Sequence, residues 1–162
     1  MIELRAVTPD EWRIWQICRL RALTENPAAF GSRIVDWIDA PEARWRERLG
    51  LPGSVNIVAF VDGQAAGMVS GIPSDDEFVA EIISMWVAPE ARGKDVGNAM
   101  IAEIQEWAEG LQVQTLRLDV FQDNARAIAL YVRNGFVDAG GSPEEGERRM
   151  VKSIRGKGRS SR

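Results

Sequence analysis

The sequence predicts an α/β (α+β) protein in which a mixed central sheet is flanked by helices. Runs of β-branched and apolar residues, typical of strands, alternate along the chain with segments whose apolar residues recur at helical spacing. Three of the strand-like runs follow one another through hairpin connections before the chain changes to strand–helix units, which favours a mixed sheet. A chain of 162 residues has the size of one domain, so residues 1–154 are predicted to form a single domain.

The N-terminal part of the chain predicts a strand and two helices. Residues 2–7 alternate between apolar and polar as a strand does, and a capping box at Thr8 begins a helix that runs to about residue 24. A second helix is predicted over residues 39–49, with Asp39 as its N-cap.

The remainder predicts a hairpin followed by alternating strands and helices. Residues 55–61 and 65–72 are strand-like runs joined at Asp62-Gly63, a dipeptide that accepts the positive φ angles of a tight turn. The later elements are strands over 78–87 and 115–121, helices over 97–109 and 124–134, and a closing pair of strands over 136–139 and 147–154.

The composition limits the catalytic groups, metal sites and substrates that the chain can have. The chain has no histidine, which excludes Ser-His-Asp and Cys-His systems and leaves acid–base work to Glu, Asp, Tyr, Lys or water. The single cysteine, Cys18, cannot supply the roughly four ligands of a structural zinc site, so no metal is predicted. The net charge of −4 argues against nucleic-acid binding and fits a cationic or neutral substrate.

The apolar runs and the first residues of the chain indicate where in the cell the protein is located. No apolar run reaches the roughly 18–20 residues that cross a bilayer, and the first residues are acidic where a secretory signal would be basic and then apolar. We therefore expect a cytoplasmic protein without membrane association. Residues 155–162 carry four basic side chains and are predicted to be a disordered tail, with a weak polyanion contact as the alternative.

A glycine-containing segment lies between a predicted strand and a predicted helix. At such a place successive backbone N–H groups and the helix dipole can bind a pyrophosphate, although most glycine-containing loops are plain turns. The candidate binding residues are Arg92, Gly93, Lys94, Asp95, Val96, Gly97 and Asn98.

Two motifs resemble the Gcn5-related N-acetyltransferase (GNAT) superfamily. Residues 92–97, which come shortly after a predicted strand that ends in Val87-Ala88-Pro89, are similar to its cofactor loop Arg/Gln-x-x-Gly-x-Gly/Ala. Residues 124–136 resemble its block Asn-x-x-Ala-x-x-Leu-Tyr-x-x-x-Gly-Phe. The resemblance implies a GNAT-like, mostly antiparallel sheet, acetyl-CoA as cosubstrate, no metal, and direct attack by a primary amine of a small molecule or peptide.

The same resemblance leaves a homodimer open and does not identify the acceptor. A peptide N-terminus, lysine, a polyamine, an aminoglycoside and an amino-acid derivative all fit it. A non-catalytic CoA-binding or regulatory module with this fold is the alternative to an enzyme.

Site roles are also implied by the resemblance. Glu81 is spaced from the loop as the family's general base is, and its competing interpretation is a solvated glutamate at a strand start. Tyr131 would protonate the departing sulfur, and Asn124 and Ala127 would lie along the cofactor, with Asn124 bonded to the pantetheine. Backbone groups that bind the pantetheine arm and polarise the acetyl carbonyl would come from Met85, Trp86 and Val87.

Asp95 departs from the family pattern, which has glycine at this position. A carboxylate there can repel pyrophosphate, and its Cβ can obstruct a positive φ angle. Alternatively, the side chain points outward and caps the following helix, which leaves the backbone N–H groups free.

Tryptophans cluster in and beside the first two predicted helices. Most are expected in the core, although one could line a pocket for an apolar or aromatic amine. They are Trp12, Trp15, Trp37 and Trp45.

Overall fold

The computed structural model describes residues 1–27, 33–142 and 144–154, so the predicted tail lies outside the described residues. Its strands are β1 (Ile2–Ala6), β2 (Val55–Val61), β3 (Gln64–Pro73), β4 (Val79–Val87), β5 (Thr115–Phe121), β6 (Val137–Gly141) and β7 (Glu147–Ser153). Its α-helices are α1 (Trp12–Glu25), α2 (Glu42–Leu49), α3 (Val96–Gly110) and α4 (Ala125–Arg133).

The described residues form one seven-stranded sheet in the order β1-β2-β3-β4-β5-β7-β6. Neighbours within it are antiparallel except β4 and β5, which are parallel. The predicted mixed, mostly antiparallel sheet with flanking helices is therefore confirmed. None of the described helices is long and apolar enough to span a bilayer.

Helices cover both faces of the sheet. Val58 faces α1 and α2, where the rings of Trp15 and Trp45 are almost fully buried. Its neighbours Ile57 and Ala59 face the opposite way, toward α3 and α4, as the period-two pleat of a strand requires. Each large apolar side chain that is fully buried contributes roughly 1.5–3 kcal/mol, so both faces stabilise the sheet.

The hairpin between β2 and β3 turns where the sequence predicts it. Asp62 and Gly63 have φ angles of 51° and 85°. Positive φ at both central residues is the geometry whose twist matches two antiparallel strands, and it is why this dipeptide predicts the turn.

The strands β4 and β5 separate soon after they meet. They pair only from Val79–Thr115 to Glu81–Arg117. Beyond that point β4 carries a bulge against β3, because three steps from Ile83 to Trp86 oppose two steps on β3. Ser84 within the bulge has a φ of 58°, a left-handed conformation that costs a non-glycine residue about 1–3 kcal/mol. The result is a gap in the sheet just before the glycine-containing loop.

The start of the second helix was predicted wrongly. α2 begins at Glu42 with Pro41 as its N-cap, so Asp39 is not the cap. The residue before a proline is disfavoured in the helical region, and Ala40, which precedes Pro41, lies outside the helix. The predicted capping box at Thr8 is present, with the Thr8 N–H donating to the Glu11 carboxylate at 3.0 Å, but it caps a 3-10 turn over Pro9–Glu11 that precedes α1.

Candidate active site

The turn from β4 into α3 leaves backbone N–H groups without acceptors. Gly93 and Asp95 have φ angles of 81° and 68°, which turn the chain sharply into the helix. Ala99 donates its N–H to the Asp95 carbonyl at 3.0 Å, whereas the amides of residues 96–98 have no backbone acceptor among the described residues. This is the arrangement that binds a phosphate at a helix N-terminus.

Asp95 occupies the N-cap position without capping through its side chain. An N-cap normally reaches the N2 or N3 amide from an extended conformation, and the left-handed conformation of Asp95 does not offer that geometry. Its Oδ1 accepts instead from the side-chain amide of Asn98 at 3.3 Å. The predicted side-chain cap is therefore wrong, but its consequence holds, because the exposed carboxylate leaves the helix amides free.

A cavity of about 380 Å³, here the first cavity, lies between the end of β4, the loop, the first turn of α3 and the length of α4. Tyr131 lines it, whereas Lys94 does not. Its lining also includes nearly all of the predicted cofactor-binding residues, namely Met85, Trp86, Val87, Arg92, Gly93, Asp95, Val96, Gly97, Asn98, Asn124 and Ala127. A chamber bordered by free helix amides at one end fits a ligand that carries a diphosphate and an extended arm.

The loop is braced against α1. Arg92 pairs with Glu25 at 3.0 Å and also donates to the Val87 carbonyl at 3.1 Å. The indole N–H of Trp86 donates to the same Glu25 oxygen at 3.0 Å. Although burial raises the pKa of Glu25, these two hydrogen bonds hold it below its ordinary value. Arg92 thus connects the loop to a neighbouring helix through a shared carboxylate.

Tyr131 and Asn124 both lie on the first cavity. Tyr131 is 5% exposed, and its ring packs edge-on against that of Phe136 with the ring centroids 5.8 Å apart. Burial raises the pKa of its hydroxyl well above the usual value. Asn124 caps α4, with Oδ1 accepting from the Ala127 N–H at 3.3 Å. This cap leaves the side-chain NH2 of Asn124 as the group that can bind a ligand.

Gly97 lets the helices of this cavity approach closely. A Cβ on Gly97 would lie 2.8 Å from a terminal methyl group of Leu130 on α4. The glycine of the loop motif therefore allows α3 and α4 to pack closely.

A second cavity of about 460 Å³ lies on the α1 and α2 face of the sheet. Its lining residues are Trp15, Arg19, Trp37, Trp45, Arg48, Glu81, Ile82, Ile83, Ser84, Leu118, Asp119, Phe121 and Glu147. Four of these, Ile82, Ile83, Ser84 and Asp119, also line the first cavity. Both cavities are therefore bordered by the bulge of β4, and Glu81 lines the second one.

Carboxylates of the second cavity differ in their partners. Oε2 of Glu81 lies 2.9 and 2.7 Å from two nitrogens of Arg117, and Asp119 pairs with Arg149 at 2.9 and 3.0 Å. Glu147 forms no ion pair within the described part of the chain. Burial, and then the charge of Asp119, raise its pKa.

Sequence reasoning did not single out Glu147 or four of the arginines of these cavities. Arg126 and Arg133 line the first cavity from α4, and Arg19 and Arg48 line the second from α1 and α2. None of them is a defined position of a motif. Only the fold brings them to the cavities.

The tryptophans combine both predicted roles. Trp15 and Trp45 are 1% and 0% exposed and belong to the core, yet together with Trp37 they line the second cavity. Cys18 is buried, and burial raises the pKa of its thiol to about 11.

Comparisons with known proteins agree with this geometry. The model of the acetyltransferase (GNAT) family matches residues 10–136. A spermine/spermidine N(1)-acetyltransferase of Bacillus subtilis (strain 168) is 28% identical over 158 residues, covering 94% of this chain and 99% of that protein. A mycothiol acetyltransferase of Renibacterium salmoninarum is 24% identical over 83% of this chain, which spans only 40% of that longer protein.

Solved structures share the fold. A PaiA N-acetyltransferase from Thermoplasma acidophilum, determined in complex with coenzyme A, superposes with a TM-score of 0.75 at 17% identity, covering 95% of this chain and 99% of that one. At this identity the likeness establishes the fold alone.

Proposed function

Because the chain belongs to the acetyltransferase (GNAT) family, we propose that it transfers the acetyl group of acetyl-CoA to a primary amine of a small molecule or peptide by direct attack. The observation that carries the proposal is that two cavities share Ile82, Ile83, Ser84 and Asp119 in their linings. One cavity fits the cofactor, and the other offers room for an acceptor. An acceptor amine can thus reach the end of the cofactor through the open sheet.

The first cavity is proposed to hold the cofactor. When bound, acetyl-CoA supplies an acyl group activated as a thioester. The free amides of residues 96–98 would receive its pyrophosphate, with Lys94, Arg92 and Arg126 adding positive charge near the loop. Backbone groups of residues 85–87 and the amide nitrogen of Asn124 would bind the pantetheine arm. The Thermoplasma neighbour solved with coenzyme A supports this use of the fold.

Tyr131 is the proposed proton donor to the leaving thiolate. A tyrosine hydroxyl is protonated at neutral pH, and burial, which raises the pKa of Tyr131, leaves it so. A phenol in this state has a proton to give, and it lines the cavity proposed for the cofactor.

A general base is proposed among the carboxylates of the second cavity. Glu81, the choice from sequence, has one oxygen held by Arg117 and could work directly or through water. Glu147 is a second candidate. A carboxylate that has a raised pKa and forms no ion pair in the described chain is better matched to taking a proton from an ammonium group.

The alternative of a non-catalytic CoA-binding module rests on Asp95. Against it, the carboxylate of Asp95 is exposed and borders the first cavity without filling it. We therefore favour the enzyme.

Two measurements on the full chain test the proposal. Calorimetry with acetyl-CoA and with CoA measures binding, and thiol release against a panel of amines, with a control lacking acceptor, measures transfer. Mass spectrometry then confirms an acetylated amine. We expect binding of both nucleotides and acceptor-dependent thiol release. Binding without an acetylated product from any amine would favour the module, and absence of binding would refute both.

A further inference from the structure

Arg48 reaches from α2 to the bulge of β4 at the junction of the two cavities. Its Nη1 donates to Oδ1 of Asn56 at 3.0 Å, and its Nη2 donates to Oγ of Ser70 at 2.9 Å and of Ser84 at 3.2 Å. Its guanidinium also lies over the ring of Trp15, with the central carbon 5.2 Å from the ring centroid. These contacts hold the charged group in one orientation beside the gap in the sheet.

No carboxylate in the described part of the chain neutralises Arg48. All three of its hydrogen-bond partners are uncharged, and none of the described ion pairs includes it. Burial lowers its pKa to about 10, which reflects the cost of keeping the charge away from water. A half-buried cation without an anion is costly unless a ligand supplies one.

Two further donors line the same cavity. Arg19 is 9% exposed, and its pKa is lowered to about 10 by burial and then by the positive charge of Arg48. The indole N–H of Trp45, which is fully buried, has no hydrogen-bond partner among the described residues. Two neighbouring cations and an N–H without an acceptor would all be stabilised by an anionic oxygen ligand.

The carboxylates of this cavity form no ion pair with Arg48 in the described part of the chain. Glu81 and Asp119 are paired with Arg117 and Arg149, which lie on the strands beside them. Glu147 remains as the carboxylate without an ion pair in the described chain. The cavity therefore has a cationic end on the helices and an acidic end on β4, β5 and β7.

We propose that Arg48, assisted by Arg19 and the Trp45 N–H, binds a carboxylate of the acceptor, so that the acceptor is an amino acid or a close amino carboxylate. This inference rests on the proposed function for the transfer itself. The cationic end would hold the carboxylate, and the acidic end would receive the ammonium group. A polyamine, which carries positive charge at every polar site, would meet Arg48 with repulsion.

The position of Arg48 also limits the acceptor's length. Its Nη2 lies one hydrogen bond away from Ser84, which belongs to both cavities. A carboxylate held there lies close to the place where the amine must enter the first cavity. Few atoms can therefore separate the carboxylate from the amine, as in an α-amino acid.

The test compares acids with their neutral counterparts. Thiol release is measured for the proteinogenic amino acids, their primary amides and spermidine, using the wild type, Arg48→Met and Arg13→Met. Arg13 is the matched control, because it is an exposed arginine of α1 that does not line the second cavity. For the preferred acceptor we expect the wild type and Arg13→Met to favour the acid over the amide by about 10- to 100-fold in kcat/KM. In Arg48→Met the preference should fall to within about 3-fold of unity, mainly through loss of activity on the acid.

The wild-type acid-to-amide ratio needs no variant, so it remains decisive if Arg48→Met does not fold. Equal activity on acid and amide, or better activity on spermidine, would overturn the carboxylate assignment and leave acetyl transfer intact. A second readout separates the opposite failure. Calorimetry in the presence of CoA should show the amino acid binding to the wild type and to Arg13→Met, and binding at least about 10-fold weaker in Arg48→Met. Such binding without any transfer would support the carboxylate site while refuting the proposed enzyme.

Discussion

Replacing Asp95 with Gly should strengthen binding of acetyl-CoA. The residue is left-handed, with φ of 68°, so glycine fits the backbone, and the exposed carboxylate stands at the end of the helix whose amides are free. A phosphate bound by those amides would lie within about one helical turn, roughly 5 Å, of this carboxylate. Removing the carboxylate removes that repulsion.

The magnitude follows from Coulomb's law. At about 5 Å in a water-like dielectric, two unit charges interact by about 0.8 kcal/mol, and a doubly charged pyrophosphate doubles this. We therefore expect the dissociation constant to fall by about 4- to 15-fold at low ionic strength, and by less as salt screens the charges. Stability should change by less than about 1 kcal/mol, because relief of the left-handed conformation offsets the greater chain entropy of glycine.

Isothermal calorimetry at two salt concentrations measures this effect, with Asp95→Asn separating charge from backbone. The asparagine variant keeps the Cβ, so it should recover most of the gain if repulsion is the cause. Asp62→Gly is the matched control, since Asp62 is also an exposed aspartate with positive φ but lies in the hairpin turn outside the first cavity. Weaker binding in Asp95→Gly, or equal gains in Asp62→Gly, would refute the reasoning.

Three further predictions concern other parts of the molecule. Tyr131→Phe keeps the buried ring but removes the acidic proton, so kcat should fall by about 100-fold or more while acetyl-CoA affinity by calorimetry changes less than about 3-fold; unchanged kcat would remove Tyr131 from the mechanism. Gly71→Ala would place a Cβ 2.5 Å from the ring of Trp107, so urea denaturation should show a loss of about 1–3 kcal/mol, and an unaltered midpoint would contradict this packing. A general base acts only in its deprotonated form, so activity falls as the pH falls through the pKa of the base. Because the pKa of Glu147 is raised, kcat/KM should decline on the acidic side at a higher pH than an ordinary glutamate would cause. Glu147→Gln should abolish this acidic limb if Glu147 is the base, whereas its disappearance only in Glu81→Gln would assign the role to Glu81.

Features encoded by adjacent residues could be predicted from the sequence. The turn at Asp62-Gly63, the capping box at Thr8 and the position of the loop between β4 and α3 each depend on a few neighbouring side chains. The start of α2 was missed because the effect of Pro41 on the residue before it outweighed the capping tendency of Asp39.

The opening of the sheet and the charges around it could not be predicted in this way. The bulge at Ser84 depends on how β4 registers against β3, which no short stretch of sequence encodes. Arg48 and Glu147 lie 99 positions apart and line the same cavity only because the fold brings α2 and β7 to it. The net charge of −4 is likewise an average over the chain and says nothing about a local cationic end.

The two cavities are built from different parts of the chain, and this bears on how such a protein can change its acceptor specificity. The helical wall that would select the acceptor comes from the first 49 residues, whereas the described chamber for the nucleotide is built mostly from residues 82–133. Substitutions in α1 and α2 can therefore change the selectivity for the acceptor without altering the residues that would bind the cofactor. A new specificity can be acquired from one side of the molecule, and grafting those two helices between relatives is a direct route to engineering it.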